Sequence, residues 1–157
     1  MEKTYIEGAG EFYSYYPKLL VIVTAHYDGK ENAMTAAWHS PISFSPALYG
    51  VFISPKRFTH QLILGSHEFC LNFITLEKAE IAAKIGGVKG AETDKLSLLN
   101  IKTEKGLKVN APILKDSYVS LECRVKDRRP YGDHDLFVGE VLTTHFIKDL
   151  FLPKGII

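Results

Sequence analysis

Residues 32–64, NAMTAAWHSPISFSPALYGVFISPKRFTHQLIL, hold the chain's densest set of groups able to grip a ligand. Thr35, Trp38 and His39 come just before an apolar run over residues 47–54, and Lys56, Arg57, Thr59 and His60 just after it. If the polar stretches 32–40 and 54–60 meet at one end of a sheet or barrel, they bring together hydroxyls, small residues that allow close backbone approach, an aromatic face and two fixed cations. That set suits a planar, phosphorylated cofactor. Lys56 and Arg57 adjoin a helix start, whose free N–H groups favour a phosphate; otherwise they are a solvated strand end. Trp38 is either core or the cover of a ring edge.

Other chemistries find less support. Gly86-Gly87-Val88-Lys89-Gly90 lacks the closing Gly-Lys-Ser/Thr of a phosphate-binding P-loop and follows a helix, not a strand. No GxGxxG follows the apolar run at 19–25, which disfavours a dinucleotide fold, and no GxSxG nucleophile elbow occurs. The six histidines are scattered without HxH or HxxxH pairs, so no metal site is expected. His67 and His145 read as single-hydrogen-bond residues. His134 stands between Asp133 and Asp135 and is either a structural turn residue or an imidazole oriented by flanking carboxylates. Cys70 and Cys123 form no CxxC unit and are expected to be reduced core residues.

The elements that must position these groups read mainly as strands. Residues 19–27 and 32–38 form a hairpin around Asp28-Gly29, with a loop slightly longer than the tightest type. Residues 47–54, 68–74, 118–125 and 136–146 read as further strands, with Val119, Leu121, Cys123 and Val125 facing one way. Residues 58–65 read as a short helix capped by Thr59, residues 76–85 as a helix ended by Gly86-Gly87, and residues 93–99 as another. Residues 128–135 read as a loop, and Gly139 as a bend or close-approach point. About six strands with inserted helices favour an α+β, mainly antiparallel architecture of Greek-key or split-barrel type. With no linker or repeat, residues 1–157 read as one domain.

At 157 residues, 46% hydrophobic and 24% charged, the chain can bury a sizeable core. A formal net charge of +1 excludes a broad nucleic-acid field. Lys126-Asp127-Arg128-Arg129 reads as a solvated strand end. No apolar run approaches a membrane span and no signal core opens the chain, so a cytoplasmic location is expected, with no membrane or nucleic-acid partner.

Four pieces in order carry a resemblance: Asn32-x-Met34-Thr35-x-Ala37-Trp38, then Pro46 ahead of a strand, then Ser54-Pro55-x-Arg57-x-Thr59-His60-x-Leu62-Ile63, then Phe69-x-Leu71-Asn72. Gly132-Asp133-His134-Asp135-Leu136-Phe137-Val138-Gly139-Glu140-Val141 supplies a second hallmark. Over residues 19–146 the chain resembles the flavin reductase-like family of FMN-binding split β-barrels, which includes flavoredoxins and ferric reductases.

The resemblance implies a homodimer with FMN near the subunit interface. It implies that Met34, Thr35, Ala36, Ala37 and Trp38 contact the isoalloxazine and ribityl chain. Ser54, Lys56, Arg57, Thr59 and His60 are implied to form the phosphate loop, with Arg57 and Thr59 foremost. Asn72 is implied to fix the flavin or the loop, and His134 to stand where a nicotinamide or other electron partner approaches. Lys89 is implied to cover the cofactor, from the same or the partner subunit. The end FLPKGII departs from relatives with a longer tail and leaves part of the substrate wall undefined. The implied activity passes electrons from NADH or NADPH through FMN to a small-molecule or protein acceptor, the flavin doing the hard chemistry. A flavin-binding electron carrier or store that does not use NAD(P)H is the alternative. A split barrel that holds haem or has lost its cofactor is a third reading, against which Arg57 and Thr59 argue.

Overall fold

A computed structural model describes residues 1–151, so FLPKGII beyond Phe151, and the expectation attached to it, lie outside the described residues. The chain forms β1 (Val21–Tyr27), β2 (Lys30–Ala36), β3 (His39–Phe44), β4 (Ala47–Ile53), α1 (Phe58–Ser66), β5 (Glu68–Phe73), α2 (Ala79–Gly87), α3 (Lys95–Leu98), β6 (Thr103–Glu104), β7 (Ile113–Leu114), β8 (Val119–Tyr131) and β9 (His134–Phe146). Seven strands build one antiparallel sheet in the order β2-β1-β5-β8-β9-β4-β3, and β6 pairs with β7 alone. The ladder ends at β2 and β3 and does not close into a barrel among the described residues.

The apolar run of β1 is continuous because both faces of that strand are covered. Val21, Val23 and Ala25 enter the main core with Leu62 and Ile63 of α1, Phe69, Leu71 and Phe137. Ile22, on the opposite face, packs with Ala33, Ile85, Leu96 and Leu114 beneath α2 and α3. Alternate side chains of a strand point to opposite faces, so a strand between two apolar layers loses its polar positions.

Several local expectations are corrected. The first hairpin has the tightest loop: Tyr27 pairs with Lys30, and Asp28 and Gly29 both adopt positive φ, 50° and 71°, as a type I′ turn requires. Of the polar stretch 32–40, residues 32–36 belong to the expected hairpin strand, β2, but residues 39–44 form a further strand at the sheet edge, β3, which Pro41 hid. Residues 128–131 continue β8, and the turn to β9 is Gly132-Asp133 alone, with Gly132 at φ +64°. Pro130 is tolerated there because β5 pairs with β8 only as far as Arg124, leaving that end of β8 a partner on one side only. Thr59 does not cap α1; Arg57 holds the N-cap position without a side-chain cap bond. Gly139 is a close-approach point: a Cβ there would stand 2.5 Å from the Phe69 ring and 2.8 Å from Cys123 Cβ.

Two buried polar networks tie the long connection between β5 and β8 to the sheet. Asn72, fully buried, donates to Ile22 O (3.1 Å) and Thr24 Oγ1 (3.0 Å) and accepts from Leu114 N (3.0 Å) and Ser120 Oγ (2.8 Å). Glu122, also fully buried, accepts from the backbone N–H groups of Leu107, Lys108 and Val109 and from His145 Nε2. Burial pushes the Glu122 carboxyl up, but these bonds outweigh it and hold its pKa below the ordinary value. Cys70 and Cys123 are buried and free. No helix among the described residues is long and apolar enough to cross a membrane.

Candidate cofactor site

The turn that precedes α1 sets the polar end of the site. Arg57 N donates to Ser54 O (2.9 Å) and His60 N to Arg57 O (3.0 Å), so the helix starts directly behind Lys56 and Arg57. The first turn of α1 carries no acidic residue and no side-chain cap, which leaves its leading N–H groups available to an anion. They open onto a cleft of about 590 Å³. That volume falls in the roughly 300–1,000 Å³ range of cofactor pockets.

The cleft gathers nearly all of the residues singled out from the sequence. Met34, Thr35, Ala36, Ala37 and Trp38, the turn residues Ser54, Lys56, Arg57 and Thr59, and Lys89 and His134 all line it. Thr35 Oγ1 donates to Ala82 O of α2 (2.6 Å), and Thr59 Oγ1 accepts from Asn32 Nδ2 (2.7 Å), so each keeps part of its capacity for a ligand. The Trp38 ring lies against that of His134, centroids 4.8 Å apart. His134 Nδ1 pairs with Asp133 Oδ1 at 2.8 Å, and the imidazole beside it lowers the pKa of Asp133.

Two of the expected residues do not line the cleft. His60 is a buried residue of α1 itself, its Nε2 2.8 Å from Asp135 Oδ2 and its ring edge-on to Phe137. Arg128 donates to the same carboxylate oxygen at 3.0 Å. Asp135 therefore does not orient His134. It faces inward, and the pair His60–Asp135 ties α1 to β9, the strand that begins at His134. Asn72 lies in the core network described above, where it fixes the connection through Leu114 N.

Sequence reasoning missed Asn32, Phe52, Glu92 and Lys95, which also line the cleft. Lys95 is the most consequential, because it is only 5% exposed. Its Nζ donates to Ala33 O (3.1 Å) and Ile85 O (3.0 Å). Burial, and then the Arg57 charge, lowers its pKa. The signal for the helix was present, since Asp94 caps α3 by accepting from Ser97 N (3.1 Å). Nothing local showed that the lysine turns inward. Among the described residues, none of Lys56, Arg57, Lys89 and Lys95 is ion-paired with a carboxylate. Asn32, 2% exposed, has its Oδ1 buried without a donor where Gly90 presses on it. No cluster of His, Cys, Asp and Glu among the described residues could hold a metal ion.

An uncapped helix start, cations without carboxylate partners, small residues and an aromatic around one cleft fit a flavin mononucleotide in both size and donor set. The match to known proteins agrees. Residues 13–153 match the family model described as "Flavin reductase like domain". This chain belongs to that flavin reductase-like family. A protein of Archaeoglobus fulgidus is 43% identical over 117 residues, covering 74% of this chain and 66% of its own length. An NADH-dependent FMN reductase of Streptomyces nodosus subsp. asukaensis is 26% identical over 82% of this chain and 69% of its own. A ferric-chelate reductase (NAD(P)H) of Archaeoglobus fulgidus is 26% identical over 83% of this chain and 76% of its own. Among solved structures, an FMN-binding protein from Thermus thermophilus superposes with a TM-score of 0.87 at 33% identity, covering 99% of this chain and 85% of its own. A flavoredoxin from Methanosarcina acetivorans gives 0.85 at 26% identity, covering 99% and 81%.

Proposed function

We propose that the protein is an FMN-dependent oxidoreductase that passes electrons from NADH or NADPH to a small-molecule or protein acceptor. The observation that carries this reading is the cleft itself: a mononucleotide-sized space lined by an uncapped helix start, cations without carboxylate partners, Trp38 and His134. Bound FMN would supply the redox chemistry. The protein's part is to bind, orient and leave one face open. Arg57, Thr59, Ser54, Lys56 and the leading N–H groups of α1 take the phosphate. Residues 34–38 line the flavin, and the small side chains Ala36 and Ala37 let the backbone approach it. His134, held by Asp133 and packed on Trp38, positions the incoming donor or acceptor. The reductase names of the Streptomyces and Archaeoglobus relatives support the nicotinamide step.

A second reading, an FMN-binding electron carrier without NAD(P)H oxidation of its own, is favoured by the Thermus protein, the more identical of the two structural neighbours, which is named for FMN binding alone. One experiment separates them. Chromatography of the cofactor released on denaturation is expected to give FMN. Anaerobic NADH or NADPH is expected to bleach the yellow protein within a catalytic timescale. FAD or haem as the released species removes both readings, and FMN without bleaching leaves the carrier.

The working form we propose is a homodimer in the cytoplasm. Phe44, 99% exposed at the end of the edge strand β3, and Ile42 and Leu19 nearby are apolar surface that a second copy would cover. Two free buried cysteines suit a reducing compartment. Sedimentation of the FMN-loaded protein as a monomer at micromolar concentration refutes the dimer.

A further inference from the structure

We propose that Arg128, Asp135 and His60 form a positioning array for the electron-transfer step: it seats the His134 ring against Trp38, and the rate of the step depends on it although none of its members borders the cleft. The proposal rests on the reading of His134 given above and adds the residues through which that imidazole is placed. His60 directly follows Thr59, and Asp135 directly follows His134. Each of these two cleft residues therefore has one half of the buried pair as its next neighbour. The 2.8 Å contact of His60 Nε2 with Asp135 Oδ2 clamps their backbones together. Asp135 also lies opposite Ile53 in the β4–β9 ladder, and Ile53 directly precedes Ser54. Three segments that line the cleft converge on one carboxylate.

The hairpin arm that carries His134 needs such a tie. β5 pairs with β8 only as far as Arg124, and beyond Val125, whose N–H goes to His67 O (2.9 Å), β8 has β9 as its sole sheet partner among the described residues. Pro130, across from Asp135, brings no N–H to the ladder. Asp135 is 5% exposed, and a carboxylate buried that deeply requires charge-assisted partners. It has His60 and Arg128 on the same oxygen, at 2.8 and 3.0 Å. The His60 ring is held in turn edge-on to Phe137, centroids 5.0 Å apart.

Neighbouring side chains of a strand leave from opposite faces, so anchoring Asp135 inward directs His134 outward, onto Trp38. Without the anchor, the groups assigned to the phosphate keep their places, since the turn before α1 is closed by its own backbone bonds, Arg57 N to Ser54 O and His60 N to Arg57 O. What changes is the seat of the imidazole. Small misplacements of reacting groups cost up to about a hundredfold in rate. The array therefore acts on the step through His134 and not on the hold on FMN.

Trp38 is the chain's only tryptophan, so its fluorescence in the flavin-free full chain reports the contact with His134. Asp135→Asn and His60→Gln are expected to change that emission as His134→Ala does, and to leave the FMN Kd within about threefold. In the FMN-loaded protein they are expected to slow flavin reduction by NADH or NADPH, or reoxidation of the photoreduced protein by ferric citrate, about five- to fiftyfold. In a His134→Ala background the same substitutions should change these rates by less than about twofold, because the group they act through is gone. A residue that merely holds the fold together slows both backgrounds alike. Arg128→Met, which removes one donor from a half-exposed position, takes the place of Asp135→Asn if the latter does not fold. Unchanged Trp38 emission, equal slowing in both backgrounds, or loss of FMN affinity at unchanged rates overturns the proposal and makes the array a packing element. Wild-type rates in His134→Ala remove the reading of His134 and this proposal with it. A wild type that binds no FMN overturns the functional reading instead, and Trp38 emission still decides whether the array seats His134.

Discussion

Replacing Glu122 by glutamine changes one atom of a fully buried side chain and should be among the most damaging conservative substitutions in the protein. Glu122 Oε1 accepts from Leu107 N (2.9 Å) and His145 Nε2 (2.6 Å), and Oε2 from Lys108 N (2.7 Å) and Val109 N (2.9 Å). A carboxamide serves best with its oxygen on Lys108 and Val109 and its NH₂ toward His145, whose other tautomer can accept. Leu107 N–H then faces a donor. One buried orphan costs about 1–3 kcal/mol, and the two surviving bonds each weaken by about 1 kcal/mol when the acceptor loses its charge, so the loss is roughly 3–5 kcal/mol. Against the 5–15 kcal/mol of an ordinary domain this lowers Tm by roughly 6–20 °C. The assay is thermal or urea unfolding of both proteins at pH 7, repeated down to pH 3.5. Because the folded pKa of Glu122 lies below its unfolded value, its contribution is complete above the ordinary glutamate value of 4.5 and is lost as pH falls through the folded pKa. The gap between wild type and Glu122→Gln should therefore narrow in that acid range. A drop in Tm under about 3 °C at pH 7, or a gap that stays constant to pH 3.5, would refute the reasoning.

His134→Ala should retain near-normal FMN and slow one half-reaction about tenfold or more, since small misplacements of reacting groups cost up to about a hundredfold. Anaerobic stopped-flow that follows bleaching and recovery separately checks it, and wild-type rates in both directions make His134 a turn residue. Asn72→Ala should cost about 2–4 kcal/mol in unfolding, since it strips partners from several buried groups, and leave the FMN Kd of the folded protein within about threefold. A large loss of FMN affinity without loss of stability would return Asn72 to the site.

Much of the site was legible because its residues cluster along the chain. Residues 34–38 and 54–59 flank β3 and β4, and a hairpin returns its two ends to the same place whatever the rest of the fold does. Hydrophobic period and turn residues likewise sufficed for β1, β4, β5 and the helices. Edges and reaches were harder. β3 has no inner face to leave an alternating pattern, and Pro130 reads as a loop signal until one sees that β8 is unpartnered on that side.

Only the tertiary structure decided the roles of polar residues inside apolar or mixed segments. His134 and Asp135 are neighbours in sequence, yet a strand sends them to opposite faces, one to the cleft and one to His60 and Arg128. Asn72 resembles a site residue by motif, but a buried amide must be satisfied wherever it stands, and here its partners come from β1, β7 and β8. Lys95 reads locally as one more surface charge on a short capped helix. The carbonyls that draw it inward lie in β2 and at the end of α2, 62 and 10 residues away along the chain, and only packing could bring them together.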